Sequence, residues 1–207
     1  ITQLQQSAQA LYNRIEDVYN QFELQINGAD EIMRCVYNLD LMAKNGWGAE
    51  APKYLHKYTQ DNYINIKIPE FKNIGYWFKP RVILLLSLIK GEINKITNKD
   101  IRDFVFVAFS ETIRFVSNRR NGEFKMFRMP ANKVDKFEPD VIKEFTTILN
   151  RNIEKMNSYD EACTDIGSNS TVSIFNNNAT SLEDVPDNSV DLVVTSPPYG
   201  DSRTTVA

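Results

Sequence analysis

A run of mostly apolar residues in the first half of the chain decides how its helical part folds. It reads Pro80-Arg81-Val82-Ile83-Leu84-Leu85-Leu86-Ser87-Leu88-Ile89. Proline suits the first turn of a helix, because the N–H that it lacks would have no partner there. The apolar residues that follow recur at helical spacing and predict a helix with a broad apolar face: Val82, Leu85, Leu86, Ile89, Ile93 and Ile96.

The next helix is predicted to begin at Thr97 and to reach about Ser117. Asp100, three residues after Thr97, resembles the acidic partner in a capping arrangement. The six residues from 104 to 109 are apolar on every side of this helix, which predicts burial all round and a position at the centre of the helical part.

Two further helical patterns flank this pair. Near the N-terminus, apolar residues alternate in steps of four and three and predict one helix of about 25 residues: Leu4, Ala8, Leu11, Ile15, Val18 and Phe22. That helix would either mediate a dimer or pack on its own helical domain. The other pattern predicts an amphipathic helix after residue 139, through Val141, Ile142, Phe145, Ile148, Leu149, Ile153 and Met156.

Between the N-terminal helix and Pro80, a second helix is predicted from Asp30 to about Lys44. Asn45-Gly46 would end it, because either residue tolerates the left-handed conformation that closes a helix. Residues 46–78 are rich in Tyr, Asn, Lys and Pro and are interpreted as a loop region. Tyr76-Trp77-Phe78 at its end is interpreted as an anchor for the following helix.

The pattern changes after Ser170. Residues 171–175 and 190–194 are short β-rich runs, and the connection between them is just long enough for a parallel crossover. Residues 181–185 could form one helical turn, and residues 186–189 form a turn signal. We therefore predict a mostly α-helical chain with a small parallel β part at its C-terminal end: a helical region over 1–163, and part of an α/β domain over 164–207.

Composition excludes several classes of protein. With 42% hydrophobic and 25% charged residues the chain is globular, and a net charge of −3 argues against coating nucleic acid by bulk charge. Cys35 and Cys163 are far apart, and His56 is the single histidine, so neither a zinc cluster nor a disulfide framework is indicated. No apolar run is long enough to cross a membrane, and a reducing, cytoplasmic setting fits best.

Near the C-terminus, Thr195-Ser196-Pro197-Pro198-Tyr199 follows the second β-rich run. This stretch resembles the (Asp/Asn/Ser)-Pro-Pro-(Tyr/Phe) signature of bacterial amino-group DNA methyltransferases. The resemblance implies a Rossmann-like α/β parent fold, double-stranded DNA as partner, S-adenosylmethionine as cofactor and a restriction–modification setting. In that family the serine form is associated mainly with N4 of cytosine. Methylation of adenine N6 remains an alternative, as does a non-catalytic helical module that binds DNA or protein.

The chemistry of the motif can be argued from its residues. The lone pair of an exocyclic base amine is delocalised into the ring, so acceptors placed against the amine hydrogens would localise it. Two prolines form a stiff turn without backbone donors, which leaves Ser196 Oγ and the Pro197 carbonyl as candidate acceptors. The Tyr199 ring could stack on a base that has left the helix. The catalytic residues are thus predicted to be Ser196, Pro197, Pro198 and Tyr199.

The cofactor half of such a site is incomplete in the chain. The resemblance assigns Asn178 and Thr195 to the cofactor. The family's glycine-rich turn has no good counterpart, because Gly46-Trp47-Gly48 follows no convincing strand and is interpreted as a helix-ending turn. Residues 73–80 and the segment from residue 109 onward also resemble modification methylases in which the cofactor loop precedes a helical segment. That loop is expected upstream of Ile1, and this piece alone is expected to be inactive.

A basic segment supplies the candidate DNA-binding residues, which are Arg114, Arg119, Arg120, Lys125 and Arg128. Only one acid, Glu123, lies among them, and three phenylalanines are interleaved: Phe115, Phe124 and Phe127. Such a loop could grip phosphates. It could equally be a solvated loop that caps helices with its phenylalanines in the core.

Overall fold

The computed structural model describes residues 2–36, 46–71, 73–120, 127–166, 171–176, 178 and 182–195. Within these ranges it contains seven helices: α1 (Thr2–Val36), α2 (Gly46–Asp61), α3 (Ile74–Trp77), α4 (Pro80–Ile93), α5 (Lys99–Val116), α6 (Ala131–Val134) and α7 (Val141–Ile166). The chain divides into two compact units, Ile1–Ile166 and Gly167–Ala207. All seven helices belong to the first unit.

Helix α4 is the centre of the helical unit. Every residue from Val82 to Ile89 is buried, and α4 contacts α1, α5 and α7. The one hydroxyl in this run, on Ser87, donates to the Ile83 carbonyl at 2.7 Å, so it is satisfied inside the helix. Full burial of an aliphatic side chain stabilises a fold by about 1.5–3 kcal/mol. This run therefore makes a large contribution to the core.

The prediction that residues 104–109 of α5 are buried all round is wrong. Val105, Ala108 and Phe109 are buried, but Val107 is 63% exposed and Phe104 is only partly buried. Helix α5 is thus amphipathic and lies at the surface. A helix is buried on all sides only if other elements pack against every side of it. Both α4 and α5 have long apolar runs, and the sequence pattern does not show which of the two is surrounded in this way.

Helix α1 is longer than predicted. It continues through Val36, with a non-helical residue at Phe22 that kinks it, so the predicted second helix over residues 30–44 is the end of α1 as far as Val36. Residues 37–45 lie outside the described part.

The apolar stripe of α1 faces the core. Ala8, Leu11 and Ile15 are at most 3% exposed, and α1 contacts α4 and α7. Arg14 Nε donates to the buried carboxylate of Glu92 at 3.2 Å, and this ion pair joins α1 to α4. The observed packing is the second of the two roles predicted for this helix.

The predicted loop over residues 46–78 contains helix α2, so that interpretation is wrong, and Gly46 begins a helix instead of ending one. Ala51, Leu55 and Tyr58 are buried at helical spacing. Tyr58 Oη also donates to the Gln25 carbonyl of α1 at 2.6 Å. A proline inside a helix, here Pro52, costs about 3 kcal/mol. We attribute the stability of α2 to the burial of Ala51, Leu55 and Tyr58, which offsets this cost.

Helices α5 and α7 lie close to their predicted positions in the chain. The cap of α5 is Asn98, not Thr97: its Oδ1 accepts from the N–H groups of Asp100 and Ile101 at 3.0 and 3.1 Å. The predicted stripe of α7 is buried at Val141, Phe145, Ile148, Leu149 and Ile153. Met156, its predicted last member, is 40% exposed.

In the C-terminal unit the predicted parallel sheet is not confirmed. No strand is assigned within residues 171–176 or 182–195, and Ile174 and Val194 are 91% and 87% exposed. The predicted turn at residues 186–189 is present, because Ser189 Oγ donates to the Pro186 carbonyl at 2.6 Å. Parallel strands are stable when other strands and helices cover both faces, and the described residues of this unit supply neither.

The position of α4 can be tested by truncating one side chain on each of two helices. We expect Leu85→Ala to lower the free energy of unfolding by about 2–5 kcal/mol, because Leu85 is 1% exposed. Val107→Ala on α5 is the matched control and should cost less than about 0.5 kcal/mol. Urea denaturation of both variants measures the difference. Equal losses would contradict the assignment of α4 as the centre.

Candidate nucleic-acid interface

The predicted catalytic residues Ser196–Tyr199 lie outside the described part of the chain. The two predicted cofactor residues, Asn178 and Thr195, are described, and both are exposed to solvent. The structure therefore gives geometry for the predicted DNA-binding segment but not for the predicted catalytic motif.

Four of the five predicted DNA-binding residues are described, and Lys125 is not. Arg114 lies in the last turn of α5, and Arg119 pairs with Arg128 in an antiparallel bridge. The Arg120 N–H donates to the Phe127 carbonyl at 2.8 Å, which extends the pairing. We call residues 118–120 and 127–129 the basic ribbon. Predicted as a loop, this segment is two short antiparallel arms on either side of residues 121–126.

Asn118 fixes the basic ribbon to the rest of the helical unit. Its backbone N–H donates to the Trp77 carbonyl at 2.7 Å, and its Nδ2 donates to the Tyr76 carbonyl at 3.3 Å. Its own carbonyl accepts from the Met129 N–H at 2.7 Å. Asn118 is 2% exposed, so one buried residue joins the two arms through its backbone carbonyl and fixes them to α3 through its backbone N–H and its side chain.

The local sequence explains why these bonds form. Carbonyl groups in the last turn of a helix have no partner within the helix, and the four-residue helix α3 leaves those of Tyr76 and Trp77 available. The apolar face of α5 ends at the buried Val116. Ser117 then caps the C-terminal end of the helix, because its Oγ donates to the Arg114 carbonyl at 2.9 Å. The chain next presents Asn118 directly to the end of α3.

Arg128 is held against Tyr76 in two ways. Its Nε donates to the Tyr76 carbonyl at 2.8 Å, and its guanidinium carbon lies 4.7 Å from the centre of the Tyr76 ring. A cation over an aromatic face at this distance is attracted by about 0.5–1 kcal/mol at an exposed site. Arg128 is therefore much less free to change conformation than an arginine at the end of an exposed stem.

Aromatic side chains accompany the arginines at the surface. Phe115 and Tyr76 are each 39% exposed, and Phe127 is 50% exposed. The alternative in which the phenylalanines of this segment pack in the core is thus wrong for Phe115 and Phe127, and Phe124 lies outside the described residues. Exposed aromatic and basic side chains together are typical of surfaces that bind nucleic acid.

The sequence interpretation missed Tyr76 and Asn118. Phe78 is 9% exposed and fits the anchor predicted for Tyr76-Trp77-Phe78, but the Tyr76 ring faces Arg128 instead. One feature of the sequence indicates a role for Asn118. Its side chain can both donate and accept hydrogen bonds, and it lies just after the end of an apolar helix. Its partners are 41 and 42 residues earlier in the chain, and no local pattern connects them.

None of the helices in the described ranges is long and apolar enough to cross a bilayer. Among the residues that the structure describes, no three His, Cys, Asp or Glu side chains are grouped so that they could hold a metal ion.

A basic ribbon with exposed aromatic residues, held on a helical body, has the features of a nucleic-acid-binding module.

Comparison with known proteins identifies a protein of similar sequence. The chain is 43% identical over 153 residues to the type II methyltransferase M.MvaI of Kocuria varians. The match covers 72% of this chain and 34% of that protein, so the chain spans about a third of the relative's length. No protein-family profile matches the chain, and no solved structure is significantly similar to it.

The role of Asn118 as an anchor can be tested by removing its side chain. We expect Asn118→Ala to lower the free energy of unfolding by about 0.5–1.5 kcal/mol, because a buried hydrogen bond to the Tyr76 carbonyl is lost. Hydrogen exchange at the Arg120 and Met129 amides should accelerate, while exchange within α4 stays slow. Asn20→Ala, at an exposed position of α1, is the control. Unchanged exchange in both arms would refute the anchoring role.

Proposed function

We propose that this chain is part of a DNA methyltransferase that transfers the methyl group of S-adenosylmethionine to an exocyclic base amine, N4 of cytosine. The similarity to a type II methyltransferase over 153 residues carries the proposal. The stretch from Thr195 to Tyr199 supplies the chemistry. The exposed arginines and aromatic residues of the helical unit add a surface suited to DNA.

The two parts of the chain would have different roles. In this proposal, residues 1–163 form a helical region that contacts DNA, and residues 164–207 belong to an α/β catalytic domain of the whole protein. The exposure of Val172, Ile174 and Val194 supports the second part of this division. Apolar runs of this kind are typical of strands that are covered on both faces, so they suit a sheet completed by other strands of the whole protein.

At the reacting base, the chain's own residues would act on the amine. Ser196 Oγ and the Pro197 carbonyl would accept hydrogen bonds from the amine hydrogens, which localises the nitrogen lone pair and stabilises the positive charge that develops during methyl transfer. Tyr199 would stack on the flipped base and offset part of the lost stacking, about 1–3 kcal/mol. Pro197 and Pro198 would keep the turn rigid.

The described residues do not by themselves form a site for S-adenosylmethionine. Asn178 and Thr195 are exposed, and the described glycine pair at residues 46 and 48 lies in the first turn of α2, with no strand before it in the described part. The methyl donor is therefore assigned to the whole protein, in which Asn178 and Thr195 would contribute to its binding.

The cysteines argue against methylation at C5 of cytosine. That reaction needs a cysteine nucleophile, which in the C5 enzymes follows a proline. Here Cys35 follows Arg34, and Cys163 follows Ala162. An amino-group acceptor remains, and the serine in the motif favours cytosine N4 over adenine N6.

The proposal can be tested in the whole methyltransferase that contains this chain. We expect Ser196→Ala to reduce DNA methylation by about 100-fold or more, because one preorganised group at the reacting amine is lost. Tyr199→Ala should reduce it by roughly 5- to 150-fold, the equivalent of one stacked base. Neither substitution should alter thermal unfolding appreciably.

Matched controls are Ser158→Ala and Tyr63→Ala, both at exposed positions of the helical unit. Mass spectrometry of nucleosides from digested DNA measures the product. N4-methylcytosine is the expected product, and N6-methyladenine alone would overturn the cytosine assignment. A wild-type protein that leaves no methylated base in DNA would overturn the proposed function.

A further inference from the structure

The arginines of the basic segment differ in how firmly they are held. Arg114 is exposed in the last turn of α5, and no side-chain contact holds it among the described residues. Arg128 has its Nε bonded to the Tyr76 carbonyl and one face of its guanidinium on the Tyr76 ring. Two arginines close together in sequence therefore present their charges very differently.

Among the described residues, the contacts of Arg128 involve Nε and one face of the guanidinium. Within the part of the chain that the structure describes, its two Nη nitrogens have no bonded acceptor. The edge that they form is a planar pair of N–H donors, with its rotation limited by the bond at Nε and its tilt limited by the ring. It is a fixed fork of donors and matches a ligand that offers two acceptors side by side.

We propose that Arg128 reads a guanine base in the major groove of the DNA target, an inference that rests on the proposed function. Guanine presents its O6 and N7 as two adjacent acceptors on that edge, and an arginine fork bonds both. The major groove admits a two-stranded β-ribbon. The arms that carry Arg119 and Arg128 are paired by one antiparallel bridge with a backbone hydrogen bond on either side of it, which is a short pairing of the same antiparallel kind.

A phosphate is the competing ligand for the same fork. Phosphate contacts position a protein on DNA without reading its sequence, and mobile side chains are adequate for them. The hydrogen bond and the stacking on Tyr76 restrict the rotamers of Arg128 before DNA binds, which reduces the entropy lost on binding. This preorganisation favours a directional contact with a base for Arg128. Arg114 has no such restraint among the described residues and is suited to a phosphate.

The experiment measures binding of the whole methyltransferase to a library of randomised duplex DNA at several salt concentrations. We expect the wild-type protein to select guanine at a defined position by roughly 5- to 150-fold, the range for a bidentate contact. Arg128→Lys keeps the charge but removes the fork. It should weaken selection at that single position, because an ammonium lacks the planar pair of donors, and leave the salt dependence unchanged.

Two further substitutions separate the roles. Tyr76→Leu keeps the backbone carbonyl but removes the ring, and it should weaken selection at the same position by less than Arg128→Lys does. Arg114→Ala should weaken binding to all sequences about equally and reduce the slope of log K against log salt by about 1. Thermal unfolding of each variant verifies that the fold is retained.

The proposal is overturned if Arg128→Ala keeps the full preference for guanine, or if the wild-type protein selects no guanine at any position. It is also overturned if Arg128→Ala weakens binding to all sequences equally. Nucleoside analysis of the same preparations separates these results from a failure of the proposed function. Methylated DNA without an effect of Arg128 on selection refutes this inference alone, whereas absence of methylation refutes the function on which it rests.

Discussion

Enclosure of α4 by α1, α5 and α7 is the constraint on which the rest of the helical unit depends. Because every residue from Val82 to Ile89 is buried, the three neighbouring helices must each turn an apolar stripe toward α4. Helix α3 ends only two residues before α4 begins, so the carbonyls of Tyr76 and Trp77 are held close to this core. The basic ribbon bonds to these carbonyls, which makes its position a consequence of core packing.

Much of the helical fold could be predicted because periodicity and start signals are local. Pro80 begins α4 as predicted, and the stripes of α1 and α7 are buried nearly as their spacing indicates. Helix α2 could not be recognised so easily, since Gly46, Gly48 and Pro52 are signals against a helix. The stripe of Ala51, Leu55 and Tyr58 stabilises this helix only because it is buried against the rest of the unit.

The candidate site was predictable by residue type but not by arrangement. A cluster of arginines and phenylalanines stands out in the sequence, yet the contact that distinguishes Arg128 from Arg114 comes from Tyr76, 52 residues away. Long-range hydrogen bonds of this kind leave no periodic trace. The predicted β part is not confirmed for a related reason, because a buried parallel strand depends on neighbours that the described residues at 171–176 and 182–195 do not provide.

In the proposed function, the helical body built on α4 holds the basic ribbon in position to contact DNA. Hydrogen–deuterium exchange of the whole protein that contains this chain, with and without duplex DNA, measures whether it does so. We expect α4 amides to exchange most slowly in both states, and we expect DNA to slow exchange at residues 118–120 and 127–129. Exchange in the basic ribbon that does not change on DNA binding, while other surfaces become protected, would contradict this role.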